Sequence, residues 1–478
     1  MAYSLSPWLK PRFFITGTNR PLAGGLMYTY KAGTTDPATT YSDDAGTTNT
    51  NPIQLDSDGQ CDLFLDDAVS YRIILKNSAG VTQFDKDRIA SLGSTQVQSF
   101  NSIAALRLRS GTTIANAAKT LGYYSAGDGG CNSFYWDSAS VLSDNGGTII
   151  KPSAVSGAGR WMSTATLLNP NMFGAVGDGT TDDLSAINAM FNYFGNNTYS
   201  IEFIANKVYY VSAQILVSLS GSNDGGKLIR GNGAIIKLSD SVRNSSVFKI
   251  SAAANSSVKN VVVENLTVQT ASLSGGVVYD PASIANGATL TTTMTVPGAL
   301  VGDSCTVNFN SDLLGCTISG SVTSANTVTV TFTNATGSAQ NIASGTIYAR
   351  VANGSVHGFV LESIGSLGYL YKFTLSGIRV IGTSGNGIYI NGTVFEGSIN
   401  ECFVDKGSTA LNGYGLCINA PASNLNPSSI DVNSFQCRGG LHGIFITGTP
   451  NIVENINIFG GTTLFSGSEG INWLNCRG

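Results

Sequence analysis

Alternating apolar and polar residues recur through the last quarter of the chain in short segments that share one pattern. Each segment has a glycine followed by apolar residues at the first and third positions: HGFVLE (357–362), NGIYIN (386–391), YGLCIN (414–419), HGIFIT (442–447) and EGINWL (469–474). The glycines, Gly358, Gly387, Gly415, Gly443 and Gly470, are spaced by 29, 28, 28 and 27 residues. Alternation with a period of two predicts short strands, and the fixed spacing predicts that these strands stack on one another.

A second set of strands lies between the first: VENLTV (263–268), LSGIRV (375–380), INECFV (399–404), VNSFQC (432–437) and INIFGG (456–461). In this alignment Val263, Leu375, Ile399, Val432 and Ile456 form one apolar column, and Leu266, Ile378, Cys402, Phe435 and Phe459 form another. Asn400, Asn433 and Asn457 share a register, as do Asn391 and Asn419, which is typical of amides that hydrogen-bond from coil to coil. The two repeats predict an all-β parallel solenoid with one coil per ~28 residues.

The segment FGAVGDGTTDD (173–183) precedes this solenoid and is followed by a helical pattern. Leu184, Ile187, Met190, Phe191 and Phe194 recur on one helical face, and Thr and Asp are typical of a helix N-terminus. We expect a short strand and tight turn, then a helix that covers the open first coil. The aspartates at 178, 182 and 183 are then turn and capping residues, because the spacing of a calcium loop is not met.

Composition restricts the function. Only 12% of residues are charged, the net charge is −4, and the basic residues are scattered, which argues against nucleic-acid binding. No apolar run has the length of a transmembrane segment, so we expect no membrane insertion. The eight cysteines form no C-x-x-C pair and there are only two histidines, which predicts buried reduced thiols, no metal site and no cofactor.

The motif FGAVGDGTTDD, followed by a helix and stacked coils, resembles the pectate-lyase-like right-handed parallel β-helix, in particular that of phage tailspikes. Residues 20–81 contain P-x-A-x-G-x-x-Y, TDP, NPI and NSAG and are similar to the virion-binding domain of tailspikes. Residues 121–162 resemble a small connecting module, and residues 280–351 resemble a β domain inserted in phage structural proteins. The resemblance implies five parts: a virion anchor (1–95), a connecting module (96–168), a capping helix with the first coils (169–275), an inserted β domain (276–353) and further coils (354–478).

This resemblance also implies a function. A tailspike is a homotrimer in the virion, made in the host cytoplasm, that would attach to phage tail or baseplate proteins through residues 1–95. It would recognise bacterial capsular or O-antigen polysaccharide and depolymerise it by hydrolysis or uronate β-elimination. The alternative is a non-catalytic tail protein that binds host glycan or anchors other tailspikes. Because the sequence ends within a repeat, at INWLNCRG, we also expect that further coils with catalytic acids could follow Gly478.

Glycoside hydrolysis needs two carboxyl groups, one as acid and one ionised. The coil acids are Glu362, Glu396, Glu401, Asp405, Asp431, Glu454 and Glu469. We expect Glu396, Glu401 and Asp431 to be catalytic, with solvated turn acids as the alternative, whereas Asp405 aligns with Arg438 as an ion pair. The outward aromatics Tyr389, Phe403 and Phe445 are candidates for stacking on sugar rings or for a subunit interface. His442, like His357, precedes a repeat glycine and is a candidate for substrate contact, proton transfer or a turn hydrogen bond.

Overall fold

The structure, a computed structural model, describes residues 3–5, 10–43, 45–66, 69–89, 97–111, 116–195, 200–219, 226–252, 256–270, 273–352, 354–363, 368–406, 413–421, 427–448, 453–464, 470–474 and 476–477. The chain divides into two units, Met1–Ala165 and Thr166–Gly478. Neither helix found in these ranges is long and apolar enough to cross a lipid bilayer.

The first unit begins with antiparallel strands: β1 (Tyr3–Leu5), β2 (Leu26–Lys31), β3 (Ile53–Gln54), β4 (Phe64–Asp66), β5 (Tyr71–Lys76) and β6 (Thr82–Ile89). Four of them form a sheet in the order β3-β2-β5-β6, and β1 pairs with β4. Met27, Leu63 and Ile73 are in the buried cluster that this sheet covers. Alternate burial along β5 shows that one face of the sheet is packed and the other is in contact with solvent.

The rest of the first unit contains β7 (Gln98–Phe100), α1 (Ile103–Arg107), β8 (Ala117–Thr120), β9 (Asn132–Asp137), β10 (Ile149–Ile150) and β11 (Arg160–Ser163). These strands form one sheet in the order β10-β11-β9-β8-β7. Its core contains Leu106, Phe134 and Trp161, and the indole N–H of Trp161 donates to the carbonyl of Arg109 at 2.8 Å. The buried ring therefore has its polar atom satisfied, as a buried tryptophan requires.

The second unit is a parallel β-helix with an inserted domain. Its strands are β12 (Leu167–Leu168), β13 (Asp178–Asp182), β14 (Ser200–Glu202), β15 (Val208–Val211), β16 (Ile215–Leu219), β17 (Lys227–Arg230), β18 (Ile235–Leu238), β19 (Ser246–Ala252), β20 (Ser257–Glu264), β21 (Thr267–Gln269), β28 (His357–Ser363), β29 (Tyr369–Ser376), β30 (Arg379–Ile381), β31 (Ile388–Gly392), β32 (Val394–Asn400), β33 (Phe403–Asp405), β34 (Leu416–Asn419), β35 (Ser428–Arg438), β36 (Ile444–Thr447), β37 (Val453–Leu464), β38 (Ile471–Leu474) and β39 (Cys476–Arg477). One sheet has the order β16-β19-β28-β31-β34-β36-β38, and we call it the seven-stranded sheet. The other, the fifteen-stranded sheet, contains the remaining strands, and pairing within both is parallel.

The predicted repeat is confirmed residue by residue in the seven-stranded sheet. Phe359, Ile388, Leu416, Ile444 and Ile471 are paired in one column, and Leu361, Ile390, Ile418, Ile446 and Trp473 in the next. The Asn419 amide donates to the side-chain oxygen of Asn391 at 3.0 Å. A column of like apolar residues inside and a ladder of amides outside therefore stabilise the stack.

The alignment of the fifteen-stranded sheet is confirmed up to β35 and is wrong by two residues in β37. Val432 pairs with Ile458, not with Ile456, and Gly461 lies opposite Phe435. Phe459, predicted to be in the core, is therefore 58% exposed. The Asn457 amide donates to Asp431 at 2.9 Å rather than to Asn433.

The helix that follows FGAVGDGTTDD is α2 (Leu184–Gly195), and its apolar face is buried as predicted. The Phe191 ring contacts those of Phe203 and Phe248 at the first coils. A 3-10 helix (Pro170–Phe173) replaces the short strand expected before it, because Asn169 caps that turn and Gly174 ends it at φ 99°.

The three aspartates of this segment act as turn and capping residues, as predicted. Asp178 accepts the N–H groups of Thr180 and Thr181, and Asp182 accepts that of Leu184. Asp183 is buried and accepts the N–H groups of Val176 and Gly177 at 2.6 and 3.0 Å. These bonds hold the loop against the helix.

An antiparallel module interrupts the β-helix between β21 and β28. Its strands are β22 (Leu273–Tyr279), β23 (Thr289–Thr295), β24 (Ser304–Phe309), β25 (Thr317–Ser324), β26 (Thr327–Thr333) and β27 (Gly345–Ala352), in two sheets, β22-β27-β24 and β23-β26-β25. The module has its own core, with Val328, Phe332 and Ile347 buried in it. The guanidinium of Arg243, on a coil, forms a bidentate pair with Asp303 of the module.

Candidate functional site

Two corners bound one exposed face of the fifteen-stranded sheet. At each corner a residue has positive φ in five successive coils: Asn260, Lys372, Glu396, Ser429 and Asn455 at one corner, and Asn265, Gly377, Glu401, Ser434 and Gly460 at the other. The φ angles of Glu396 and Glu401 are 51° and 52°. A side chain in this conformation costs roughly 1–2 kcal/mol. Since the neighbouring coils bend in the same way, the bend belongs to the solenoid and not to these acids alone.

Polar side chains cover the face between the corners. Ser398 lies next to Thr374, with 3.3 Å between their hydroxyl oxygens. The Asn400 amide donates to Ser398 at 3.2 Å, and the Asn433 amide donates to Asn400 at 2.8 Å. This ladder presents hydroxyl and amide groups in register along the solenoid, which is a surface suited to sugar hydroxyls.

A groove of about 380–420 Å³ occurs on each of the two sheets, and the larger, about 420 Å³, lies on this face. Glu396 and Asp431 both line it, together with Lys372 and Asn260. Glu396 lies opposite Ser429 in the strand register, so Asp431 is its diagonal neighbour on the next coil. The larger groove therefore brings together two of the three predicted catalytic acids.

Glu401, the third predicted catalytic acid, lies on the other corner and does not line this groove. Asp405 has the ion-pair contact that the sequence predicts, with 3.6 Å between its Oδ1 and Nε of Arg438. Glu454 lies opposite Ser428, one residue beyond the corner, and Glu469 is outside the described residues.

The smaller groove, about 380 Å³, lies on the seven-stranded sheet where the inserted module leaves the coils. Its lining includes Ser246, Lys249, His357, Glu362 and Tyr389. The His357 and Tyr389 rings are in contact, with centroids 4.9 Å apart. Burial and the nearby lysine ammonium groups lower the pKa of His357 to about 4. Its imidazole is therefore neutral at pH 7.

Three of the four predicted sugar-binding residues lie on the seven-stranded sheet, away from the carboxylate groove. They are Tyr389, Phe445 and His442, and the Phe445 ring stacks on Tyr414 with centroids 4.1 Å apart. His442 is buried and stacks on the same pair. Phe403 lies on the fifteen-stranded sheet, under the guanidinium of Arg379. The predicted catalytic and binding residues thus lie on two faces of the solenoid.

The described residues contain no group of three or more His, Cys, Asp or Glu side chains that could hold a metal ion. Among the described cysteines, Cys402, Cys417 and Cys437 are buried free thiols, whereas Cys131 is exposed. Burial raises the pKa of the Cys402 thiol to about 12, so it is protonated and unreactive at neutral pH.

Sequence reasoning missed the smaller groove as a site. Lys249 lies on β19, which pairs with β28 across the inserted module. The sequence did contain a signal for this pairing, because SVFKIS (246–251) has the same alternation of apolar and polar residues as the later coils. In the structure Phe248 aligns with Phe359. Tyr414 was also missed, although it occupies the same position before a repeat glycine as His357 and His442.

Comparison with known proteins gives one family match. Residues 99–165 match the family model described as the phage tail protein small four-stranded β-sheet domain, and they cover the sheet formed by β7 to β11. No curated protein matches the sequence.

Several solved structures are similar to this chain in architecture. WceF of Pantoea stewartii, described as a glycan biofilm modifying enzyme with a tailspike-like parallel β-helix fold, is 13% identical, with a TM-score of 0.37 over 95% of this chain and 60% of that one. The enzymatically active domain of tailspike protein 2 of bacteriophage CBA120 is 15% identical, with a TM-score of 0.36 over 80% and 54% of the two chains. Tailspike gp49 of Acinetobacter baumannii bacteriophage Fri1, a capsular polysaccharide depolymerase, is 12% identical, with a TM-score of 0.25 over 80% and 75%. The chain thus spans 60% and 54% of the first two proteins.

Proposed function

We propose that this chain is a phage tailspike whose β-helix recognises and hydrolyses a bacterial surface polysaccharide, a capsule or O-antigen. In this proposal residues 1–95 attach the protein to phage tail or baseplate proteins, three copies assemble into a homotrimer, and the protein is part of the virion tail. The match of residues 99–165 to a phage tail domain supports the assignment to a virion. The groove that Glu396 and Asp431 share supports the reaction.

The arrangement of the two acids suits hydrolysis. A hydrolase that inverts configuration keeps its carboxyl groups about 6.5–9.5 Å apart, so that a water molecule fits between one of them and the sugar. Glu396 and Asp431 line one groove from adjacent coils, which supports such a pair. Asp431 is half-buried and oriented by the Asn457 amide, whereas Glu396 is exposed at the corner. We assign the two together as the acid–base pair, one activating water and the other protonating the leaving oxygen.

A second candidate function is glycan binding without cleavage. The observation that favours it is the ladder from Thr374 to Asn433, which offers hydroxyl and amide groups to sugars but no acid. A protein that only adsorbs to glycan, or that anchors another tailspike, needs this surface and not the acid pair.

Substitutions of the two acids separate these functions. Release of reducing ends from host capsule or O-antigen is measured for the full chain and for Glu396→Gln and Asp431→Asn. Loss of a general acid or base lowers the rate by about 10²- to 10⁴-fold. Glu401→Gln is the matched control, because Glu401 has the same φ but lies outside the groove, and it should retain the wild-type rate. Equal rates in all four proteins would exclude the assignment, and binding with no release in any of them would establish the second function.

A further inference from the structure

The smaller groove, on the seven-stranded sheet, carries chemistry that the carboxylate pair does not use. His357 has a fixed protonation pattern there. Its Nδ1 accepts the backbone N–H of Asn386 at 2.8 Å. Because the imidazole is neutral at pH 7, its one proton is on Nε2. His357 is thus a hydrogen-bond donor to the groove and not a general base.

Two hydroxyl groups beside it are also set as donors. The Tyr389 oxygen accepts from the Asn419 amide at 3.1 Å, and the Ser246 oxygen accepts from the Gln214 amide. Each hydroxyl has a single proton. Within the part of the chain that the structure describes, neither hydroxyl donates that proton to another group. Both protons are therefore available to a ligand.

Lys249 adds a positive charge to this set. Its ammonium group contacts Oε2 of Glu362, which is 8% exposed, and Oε1 of Glu362 accepts from the Asn391 amide at 3.0 Å. An ammonium group has three N–H donors, so this contact leaves others for a ligand. Glu362 positions Lys249 through the ion pair at its Oε2.

Two lysine ammonium groups act on His357. Lys406 lies behind the groove, buried, with its ammonium group bound only by the carbonyls of Thr383 and Gly385 among the described residues. Lys406 and Lys249 both disfavour the protonated form of His357, and no carboxylate is among the causes that act on it. A negative charge placed at Nε2 would therefore be stabilised.

We propose that this groove binds the carboxylate of an acidic sugar residue in the glycan. A carboxylate accepts hydrogen bonds and donates none. It therefore matches the four donors of the groove, which are Nε2 of His357, the hydroxyls of Tyr389 and Ser246, and the Lys249 ammonium group. A carboxylate satisfies these donors without bringing a proton of its own, whereas every hydroxyl of a neutral sugar brings a proton that needs an acceptor. The proposal rests on the proposed function in naming a glycan as the ligand, and it specifies that glycan as anionic.

Nuclear magnetic resonance of the full chain with ¹³C-labelled histidine tests the site directly. The chain has two histidines, so His442 provides an internal control. The probes are acetate, methyl β-D-glucuronide and methyl β-D-galacturonide, with methyl β-D-glucoside and methyl β-D-galactoside as the neutral counterparts. The carboxylates should raise the titration midpoint of His357 and shift its resonance at pH 6 in a saturable manner. The His442 resonance should not respond, and the neutral glycosides should have no effect.

Two variants connect the effect to the named donors. Tyr389→Phe removes one hydroxyl and should weaken carboxylate binding about threefold. Lys249→Met removes the positive charge and should weaken carboxylate binding at least about tenfold. Lys237→Met, a lysine on β18 of the other sheet, is the matched control and should bind like wild type.

Equal responses to acidic and neutral glycosides, or no response to any carboxylate, would overturn the proposal. If polysaccharide is bound or cleaved but carboxylates leave His357 unchanged, this inference fails while the proposed function stands. If carboxylates bind His357 but no host polysaccharide is bound, the proposed function fails and the anion site stands.

Discussion

Acidification should destabilise this protein through His357. An unfolded histidine has a pKa of 6.5, and in the folded chain burial and the two lysines lower that of His357 to about 4. Between these values the unfolded state binds a proton that the folded state does not, so stability falls as the pH falls. A difference of ~2.5 at 1.36 kcal/mol per pKa unit gives about 3 kcal/mol. This loss is a large part of the 5–15 kcal/mol that is typical of folded proteins.

Urea denaturation at pH 7.5, 6.5, 5.5 and 4.5 measures this loss. The carboxylates of the chain also respond to acid, so the relevant quantity is the difference between wild type and His357→Gln, in which the other groups are unchanged. The variant should lose about 2.5 kcal/mol less than wild type over this range, most of it below pH 6.5. Parallel stability curves for wild type and His357→Gln, or a folded-state midpoint near 6.5 for His357, would refute the reasoning.

Three further predictions concern the solenoid and its insert. Gly387→Ala should destabilise the protein by about 1–3 kcal/mol or more, because its Cβ would lie 2.6 Å from the carbonyl oxygen of Gly415 and against Val404. Thermal denaturation compares this variant with Gly157→Ala, whose added Cβ meets nothing within 4 Å and should leave stability unchanged. Glu401→Gly should raise stability by up to about 1 kcal/mol, since it removes a side chain from φ 52°, whereas Glu401→Val should lower it; the opposite order would contradict the corner geometry. Asp303→Asn should cost about 1–3 kcal/mol, because it removes the charged partner of Arg243, whose guanidinium keeps its bonds to backbone carbonyls. Limited proteolysis should then cut within residues 276–353, and cleavage like that of wild type would exclude a docking role for the pair.

The stacked architecture could be predicted because like residues repeat at a nearly constant spacing in two independent columns. The error in β37 has a simple cause. Ile456 and Ile458 are both apolar and both face inward, and in a strand a shift of two residues keeps the same face. Aligning Asn457 with the asparagine column selected the wrong register. The better guide was Gly460, which occupies the positive-φ corner opposite Ser434, in the column that includes Gly377.

The two grooves were less predictable, because each combines residues from several coils. The sequence places Glu396 and Asp431 on adjacent coils, and the register then brings them into one groove. Glu401 lies on the same coil as Glu396 but at the second corner, outside the groove. The Lys249–Glu362 contact depends on β19 pairing with β28 across an inserted module, which interrupts the repeat in the sequence but not in the fold.

The measurement that tests the central claim most directly is mass spectrometry of host capsule or O-antigen after incubation with the full chain in ¹⁸O-labelled water. Hydrolysis between Glu396 and Asp431 predicts oligosaccharides that have gained one labelled water, and their loss with Asp431→Asn. Fragments with an unsaturated end and no label would mean β-elimination, and unaltered polymer would mean that this groove does not cleave glycan; either result would contradict the assignment.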